Sequence, residues 1–200
     1  EGYILLISRY SIDYMAMDER SGPQSCENCT LRKWLNSEFL HKAFSTDDQA
    51  KLVPVKIGDD NYHTVAGDGS SADKVFLLTD AEAKNYFSGN EDLVSTATGY
   101  AYAVFNDSKQ SADRAAVCDD MKRTMWWLSL SGNNSAFCSF VRCVGDVNSY
   151  GYGLNRKLFV RPAVMVKLNS QTINASKNAC PKCGTPVDHD DMFCPECGSD

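Results

Sequence analysis

Trp126-Trp-Leu-Ser-Leu-Ser-Gly132 is the stretch that decides the fold of this chain. Consecutive aromatic and aliphatic residues closed by a Gly are typical of a buried β-strand, and we predict a strand over residues 125–130. Trp126 and Trp127 are interpreted as core residues, because large aromatic side chains contribute strongly to the core of a compact domain. The alternative interpretation, in which the two rings form a platform that stacks on a sugar, stays open.

The chain divides into a helical first half and a β-rich second half. Beyond residue 88 the sequence is rich in Gly, Ser, Asn and aromatic residues, and further strands are predicted at 137–144 and 160–168. The first half contains predicted strands at 3–8 and 74–78 and short predicted helices at 47–52 and 80–87. This order of elements predicts an α+β domain.

The first and longest predicted helix follows Thr30, which is a plausible N-cap. Trp34 lies in the middle of the apolar stripe of this helix and is predicted to be buried. The members of the stripe recur at mostly helical spacing: Leu31, Trp34, Leu35, Phe39, Leu40, Ala43 and Phe44.

Two CxxC motifs near the C-terminus carry the most specific chemical signal in the sequence. Each CxxC turn aims two thiolates at one point, and two such turns complete the tetrahedral sulfur shell that Zn²⁺ prefers. Because protein atoms fill all four positions, we predict a structural zinc site rather than a catalytic one. Two disulfides are the alternative. The predicted ligands are Cys180, Cys183, Cys194 and Cys197.

The sequence predicts three regions: a folded domain over 1–168, a polar linker over 169–179 and a zinc ribbon over 180–200. The ribbon is too short to build a core, so zinc binding must supply its folding free energy, on the order of 10 kcal/mol. The linker lacks periodicity and is polar, which is typical of a segment between independently folding domains.

Composition limits the classes of partner and compartment. The formal net charge is −6 and there is no long basic cluster, which disfavours nucleic acid as the main partner. The apolar runs are too short to span a membrane. Five cysteines remain after the ribbon has taken four of the nine, and this pattern favours a reducing, cytoplasmic compartment over a disulfide framework. The five are Cys26, Cys29, Cys118, Cys138 and Cys143.

Four stretches, taken in order, resemble a large bacterial family of uncharacterised domains related to the C-type lectin and formylglycine-generating-enzyme fold. The family's forms of the last two stretches are approximately WWLRSPG and GVRPAL, and Ser129, Ser131 and Phe159 depart from them. The resemblance implies a C-type lectin-like domain in which Arg161 is a buried brace. The stretches are Cys29-Thr-Leu-Arg-Lys-Trp-Leu-Asn36, Asp73-Lys-Val-Phe-Leu-Leu-Thr79, Trp126-Trp-Leu-Ser-Leu-Ser-Gly132 and Val160-Arg-Pro-Ala-Val164.

The first functional hypothesis is a non-enzymatic binding module that displays a variable, loop-rich surface over residues 133–159. This segment is rich in Asn, Ser, Tyr, Gly and Arg, which adaptable binding surfaces use, and its partner is an unidentified protein or small ligand. The resemblance also implies diversification by a retroelement that mutates template adenines, since related lectin-like folds are targets of such elements. The predicted ligand-binding residues are Asn134, Ser139, Arg142, Asn148, Tyr150, Tyr152, Asn155 and Arg156.

The second hypothesis is a copper-dependent oxidase of the formylglycine-generating type. In that family two cysteines with four residues between them bind copper, and Cys138 and Cys143 have this spacing. An offset of five places two side chains on opposite faces of a regular strand, so the site would require a bulge. The alternative is two separate thiols, of which one is buried.

Overall fold

The structure, a computed structural model, describes residues 2–20, 28–67, 72–108, 116–118, 122–131 and 135–168. The chain divides into two units, one of Leu5–Met165 and a smaller one of Glu1–Ile4 with Val166–Asp200. The predicted linker, the zinc ribbon and Asn134 lie outside the described residues.

The helices are short and lie between residues 30 and 107. A π-helical segment, Leu35–Phe39, separates α1 from α2, so the first predicted helix is not α-helical throughout. Cys29, not Thr30, is the N-cap of α1, and Ser45 caps α3. The helices are α1 (Thr30–Trp34), α2 (Leu40–Ala43), α3 (Thr46–Lys51), α4 (Asp80–Asn85), α5 (Asn90–Leu93) and α6 (Gly99–Asp107).

Trp34 is only half-buried, so the prediction that it lies in the core is wrong. Leu31 and Leu35 occupy the buried side of the helix, and Trp34 lies at the flank of that stripe. Its ring instead packs against Phe39 at a centroid distance of 5.2 Å, and Phe39 packs against Phe44 at 6.2 Å. The helical spacing identified the stripe correctly but did not identify its centre, because residues at both flanks of a stripe share that spacing.

Ten strands form three sheets among the described residues. The strands are β1 (Gly2–Ile7), β2 (Asp13–Ala16), β3 (Val55–Ile57), β4 (His63–Val65), β5 (Val75–Phe76), β6 (Trp126–Ser131), β7 (Phe137–Val141), β8 (Val147–Gly153), β9 (Lys157–Val160) and β10 (Ala163–Leu168). The largest sheet has the order β2-β9-β6-β7-β8, a smaller one has the order β1-β10-β5, and β3 pairs with β4. In the largest sheet β6 and β9 pair in parallel, whereas β2–β9, β6–β7 and β7–β8 are antiparallel.

Two predicted strands are shorter than the sequence indicated. The strand predicted over 137–144 ends at Val141, where the chain turns into β8. The strand predicted over 160–168 is interrupted at Arg161 and Pro162, which separate β9 from β10. Pro lacks the N–H that a continuous ladder needs, so a break at Pro162 has a direct chemical cause. The domain is therefore a mixture of helices and strands, with several small elements.

The core is built around the two tryptophans of β6. Trp126 and Trp127 are fully buried, and each indole N–H donates to a backbone carbonyl, Trp126 to Leu93 at 3.1 Å and Trp127 to Met15 at 2.9 Å. A buried indole N–H that finds an acceptor avoids a large desolvation cost. No helix of the described residues is long and apolar enough to cross a membrane.

Candidate functional site

Strand β8 and its two flanking turns carry most of the exposed residues of the predicted binding segment. β8 lies at the edge of the largest sheet, next to β7. Tyr150, near the middle of β8, is 75% exposed although tyrosine is a large, partly apolar residue. We call the exposed side chains of this region the β8 surface: Arg142, Val144, Ser149, Tyr150, Asn155 and Arg156.

Asn148 fixes the backbone beneath Tyr150. Its side-chain oxygen accepts hydrogen bonds from the backbone N–H groups of Tyr150, at 3.0 Å, and Gly151, at 3.2 Å. Gly151 has φ of 92°, a left-handed conformation that Gly adopts without strain. The strand is kinked here, and two backbone donors are already used, so an added strand cannot pair with them.

The turn between β7 and β8 is held by several short-range contacts. The backbone N–H of Arg142 donates to the carbonyl of Asp146 at 2.9 Å, and that of Gly145 donates to the carbonyl of Arg142 at 2.8 Å. The guanidinium of Arg142 also pairs with the carboxylate of Asp146. Gly145 has φ of 84°, and a Cβ atom added there would lie 1.7 Å from the carbonyl oxygen of Asn90. The turn therefore fits closely against the start of α5.

A disulfide joins this turn to a distant part of the chain. Cys143, in the turn, is bonded to Cys118, with a Cα–Cα distance of 6.1 Å. Cys143 is buried, whereas Cys118 is exposed. The expectation that the cysteines outside the ribbon remain thiols is therefore wrong for this pair, since the fold brings the two residues within bonding distance. The cytoplasmic compartment stays a prediction.

The structure does not bring Cys138 and Cys143 together as a copper site. The sulfur of Cys143 is used by the disulfide, while the buried thiol of Cys138 donates to the carbonyl of Leu128 at 3.0 Å. The register of β7 shifts between Cys138 and Phe140, so an irregularity of the kind that the oxidase hypothesis requires is present. The two sulfurs nevertheless have separate partners and do not share a site.

The predicted ligand-binding residues have different environments. Ser139 is 1% exposed, so its assignment to a binding surface is wrong: both faces of β7 are covered, since its four consecutive residues from Cys138 to Val141 are all buried. Tyr152 is half-buried, and its ring packs near Trp127 at 6.2 Å and Phe140 at 5.7 Å. Asn148 is also half-buried and supports the backbone. The exposed residues are Arg142, Tyr150, Asn155 and Arg156.

Helix α4 extends this region through residues that the sequence did not single out. The hydroxyl of Ser149 donates to the Asp80 carboxylate at 3.1 Å, and the ammonium of Lys84 donates to the same hydroxyl at 3.1 Å. Lys84 also lies 3.5 Å from Asp80. The separations of 65 and 69 residues left no local pattern that could have indicated these contacts.

A buried Glu–His pair connects α4 with the β3–β4 hairpin. Glu82 accepts from the ring Nδ1 of His63 at 2.8 Å and from the backbone N–H of His63 at 2.7 Å. It also accepts from the N–H of Thr79 at 2.9 Å, which completes a capping box. Burial alone would raise the pKa of Glu82. The hydrogen bond and the charge of the His63 ring, together with the backbone N–H donors of Thr79 and His63, outweigh burial, so the pKa of Glu82 is lowered overall.

Arg161 joins two segments of the domain that are far apart in sequence. Its Nε donates to the carbonyl of Ser8 at 2.8 Å, and its Nη1 donates to the carbonyl of Leu93 at 3.2 Å. The guanidinium also lies 5.0 Å from the ring centre of Trp126. Burial lowers the pKa of Arg161 to about 10, so the group remains charged near neutral pH.

Comparison with known proteins gives two matches. The family described as Domain of unknown function (DUF6273) matches residues 1–168, and a zinc-ribbon domain matches residues 176–200. No curated protein and no solved structure matches the chain. The described residues contain no cluster of three or more His, Cys, Asp or Glu side chains that could hold a metal. The four ribbon cysteines lie outside them, and an all-thiolate donor set fits structural zinc.

Proposed function

We propose that this chain, which belongs to the DUF6273 family and carries a C-terminal zinc-ribbon domain, is a non-enzymatic binding module that contacts its partner through the β8 surface. The observation that carries the proposal is the exposure of Tyr150 on a backbone fixed by Asn148. Tyrosine provides a large contact area at a low cost in conformational entropy, and it combines an apolar ring with a hydroxyl.

The fixed backbone supports binding because a preorganised surface loses less entropy on association. The Asn148 hydrogen bonds hold the centre of β8, and the disulfide with the close fit of Gly145 holds the turn before it. Arg142 and Arg156 add guanidinium groups on either side of Tyr150 in sequence. Tyrosine and arginine are, with tryptophan, the residue types enriched among those that dominate protein–protein binding, so a protein partner fits this surface best.

The proposal includes the C-type lectin-like fold that the sequence resemblance implies. A loop-rich sheet stabilised by the two buried tryptophans and by Arg161 supports it. In such a domain a stable core allows the surface residues to change, because exposed substitutions generally alter stability by less than about 0.5 kcal/mol.

Retroelement diversification, as part of this proposal, is limited by burial within residues 133–159. Buried positions cannot accept arbitrary side chains without loss of the core. We therefore expect variable codons only at positions of the β8 surface, and constant codons at Ser139, Phe140, Leu154 and Phe159, all of which are buried. Sequencing of neighbouring DNA for an adenine-altered near-copy of this segment tests the expectation. Variation at the buried positions would contradict it.

Zinc has a structural role in this proposal. Cys180, Cys183, Cys194 and Cys197 would hold one Zn²⁺, whose binding stabilises the small ribbon. The copper-oxidase alternative receives no support from the geometry, because Cys143 is bonded to Cys118 rather than aligned with Cys138.

Selection of peptides from a random display library against the full-length protein tests the proposed surface. Selected peptides tend to occupy the surface that offers the strongest preformed contacts. We expect Tyr150→Ala to weaken most selected peptides by at least about tenfold, which is about 1.4 kcal/mol. Tyr100→Ala is the matched control, since Tyr100 is 66% exposed but lies on α6. Equal effects of the two substitutions would overturn the proposed surface.

A second variant tests the role of the fixed backbone. Asn148→Ala keeps Tyr150 but removes the acceptor of two backbone N–H groups. We expect this variant to bind the same peptides roughly three- to tenfold more weakly, because ordering the freed backbone makes the entropy of association less favourable. Unchanged affinity would show that preorganisation by Asn148 does not contribute. Thermal unfolding of each variant checks that the fold is retained.

A further inference from the structure

The Cys118–Cys143 disulfide is a distinct chemical site that the binding proposal does not use. It closes a span of 25 residues that contains β6 and β7. One end, Cys118, is exposed, and the other, Cys143, is 1% exposed. The two bonded residues therefore differ in their access to solvent.

We propose that this pair is a thiol–disulfide exchange site at which an external thiol attacks Cys118 and releases Cys143. A thiolate must reach the sulfur that it attacks, and in this pair the exposed residue is Cys118. Attack forms a bond between the external sulfur and Cys118 and breaks the bond to Cys143. The electron pair of the broken bond goes to the Cys143 sulfur, which then takes a proton from solvent.

The reductant that the step requires is a thiol or dithiol from solution. With a monothiol the product is a mixed disulfide on Cys118 and a thiol on Cys143, which can attack back and restore the original bond. With a dithiol the second thiol attacks the mixed disulfide, so the reductant leaves as a cyclic or linked disulfide and both cysteines become thiols. Burial disfavours the thiolate form of Cys143 as leaving group, which slows the first step relative to an exposed disulfide.

Exchange would also change the constraint on the β7–β8 turn. The turn keeps its hydrogen bonds between Arg142, Gly145 and Asp146, but loses its covalent attachment to the segment around Cys118. That segment is held to the residues just before β6 by a hydrogen bond from the Cys118 N–H to the carbonyl of Arg123, in the same chain, at 3.0 Å. The redox state of the pair is therefore coupled to the order of a turn that carries Arg142 and Val144.

Peptide mapping of the full-length, zinc-loaded protein tests the point of attack. Trypsin cleaves after Arg114, Lys122, Arg123 and Arg142, so Cys118, Cys138 and Cys143 fall on three different peptides. Protein purified without reductant is treated with glutathione and quenched with acid, and it is then unfolded and labelled with N-ethylmaleimide near neutral pH before digestion. We expect a linked Cys118–Cys143 peptide pair before treatment, and afterwards glutathione on Cys118 with maleimide on Cys143.

The expected excess of glutathione on Cys118 over Cys143 is at least about tenfold, because attack follows access. Cys138 is the internal control: it is buried and should carry no glutathione. Absence of the linked pair before treatment, or a glutathione adduct mainly on Cys143, would overturn the proposal. The proposal would also be overturned if glutathione formed an adduct only in the presence of denaturant.

Hydrogen–deuterium exchange tests the coupling to the turn. The Gly145 N–H donates to the Arg142 carbonyl, so its exchange rate reports opening of the turn. We expect dithiol reduction to accelerate exchange there by at least about threefold, with no change in β2 of the same sheet. The Cys118→Ser variant should show the faster rate without reductant. An exchange rate that is the same in oxidised, reduced and variant protein would overturn the coupling.

Discussion

Arg161 satisfies two backbone carbonyls from segments that are far apart in sequence, Ser8 and Leu93. We expect Arg161→Lys to lower the free energy of unfolding by about 2–4 kcal/mol, because one ammonium cannot reproduce the planar arrangement of two donors. Urea unfolding measures the loss. Arg156→Lys is the control, since Arg156 is exposed and its change should stay within about 0.5 kcal/mol. A loss below about 1 kcal/mol for Arg161→Lys would contradict a bracing role.

The tryptophans provide a second prediction for single residues. Trp126→Phe should lower the free energy of unfolding by about 2–3 kcal/mol, because it leaves a small cavity and removes one of the two hydrogen bonds that the Leu93 carbonyl accepts. Trp34→Phe should cost less than about 1 kcal/mol, since Trp34 is half-buried. Chemical unfolding of the two variants side by side gives the comparison. Equal losses would show that the first helix contributes more to the core than its exposure indicates.

At the scale of single residues, the sequence identified chemical type better than environment. The two tryptophans and Arg161 were recognised as structural from the motifs in which they occur. Ser139 was assigned to the surface because small polar residues are common in binding loops, but it is buried on an internal strand. The disulfide partner of Cys143 could not be read from spacing, since 25 residues separate it from Cys118 and the pairing depends on the fold.

The β7–β8 turn contains a position that only Gly fits. We expect Gly145→Ala to lower the free energy of unfolding by at least about 2 kcal/mol, because the new methyl group would overlap the Asn90 carbonyl and the left-handed φ of 84° adds strain. Gly99→Ala is the control: nothing lies within 4 Å of a Cβ atom there, and its change should stay within about 1 kcal/mol. Equal effects in thermal unfolding would contradict the close fit of the turn.

The contact between α4 and the β3–β4 hairpin makes stability depend on pH. The folded pKa of Glu82 lies below its ordinary value of 4.5. The corresponding stabilisation is therefore present above that value and is lost as pH falls through the lower, folded pKa. We expect the difference in unfolding free energy between wild type and Glu82→Gln to shrink from about pH 6 to about pH 3. A difference that stays constant over this range would contradict the role of the Glu82 charge.

Elements with a strong local signal were predicted, and those that depend on distant partners were not. The strand at the tryptophans, helix α4 and the helical character after Cys29 were all present in local sequence. β8 lacks a clear apolar alternation because Asn148 and Gly151 interrupt it. The π-helical segment was missed although the step of five residues from Leu35 to Leu40 matches its i→i+5 hydrogen bonding better than the α-helical period.

For the whole molecule, we expect freshly purified, reduced protein to contain one equivalent of zinc, held by the four ribbon cysteines. Truncation after Asn169 should remove the zinc and leave the melting temperature of the remaining domain within about 2 °C, because the family match ends at residue 168. Elemental analysis and calorimetry provide the two measurements. Less than about half an equivalent of zinc, or a large fall in melting temperature, would contradict the prediction.

The class of the domain followed from the order of helical and β-rich segments, but its strand order did not. β2 pairs with β9, and β6 pairs in parallel with β9, across separations that no local pattern specifies. The candidate surface was predicted as a continuous segment, 133–159. The fold separates that segment into buried strands and an exposed edge, and it adds Lys84 and Asp80 from α4.

The pairing of β2 with β9 has a consequence for synthesis on the ribosome. Asp13 lies opposite Val160 and Ala16 opposite Lys157, so roughly 140 residues must be translated before the early strand meets its neighbour. At about 5–20 residues per second this takes roughly 7–30 s, during which the ring of Tyr14 has no core to enter. The nascent chain therefore carries an unmatched strand with a large aromatic side chain for that time. A chaperone that holds emerging chains should raise the yield of native protein, and more so when elongation is slow.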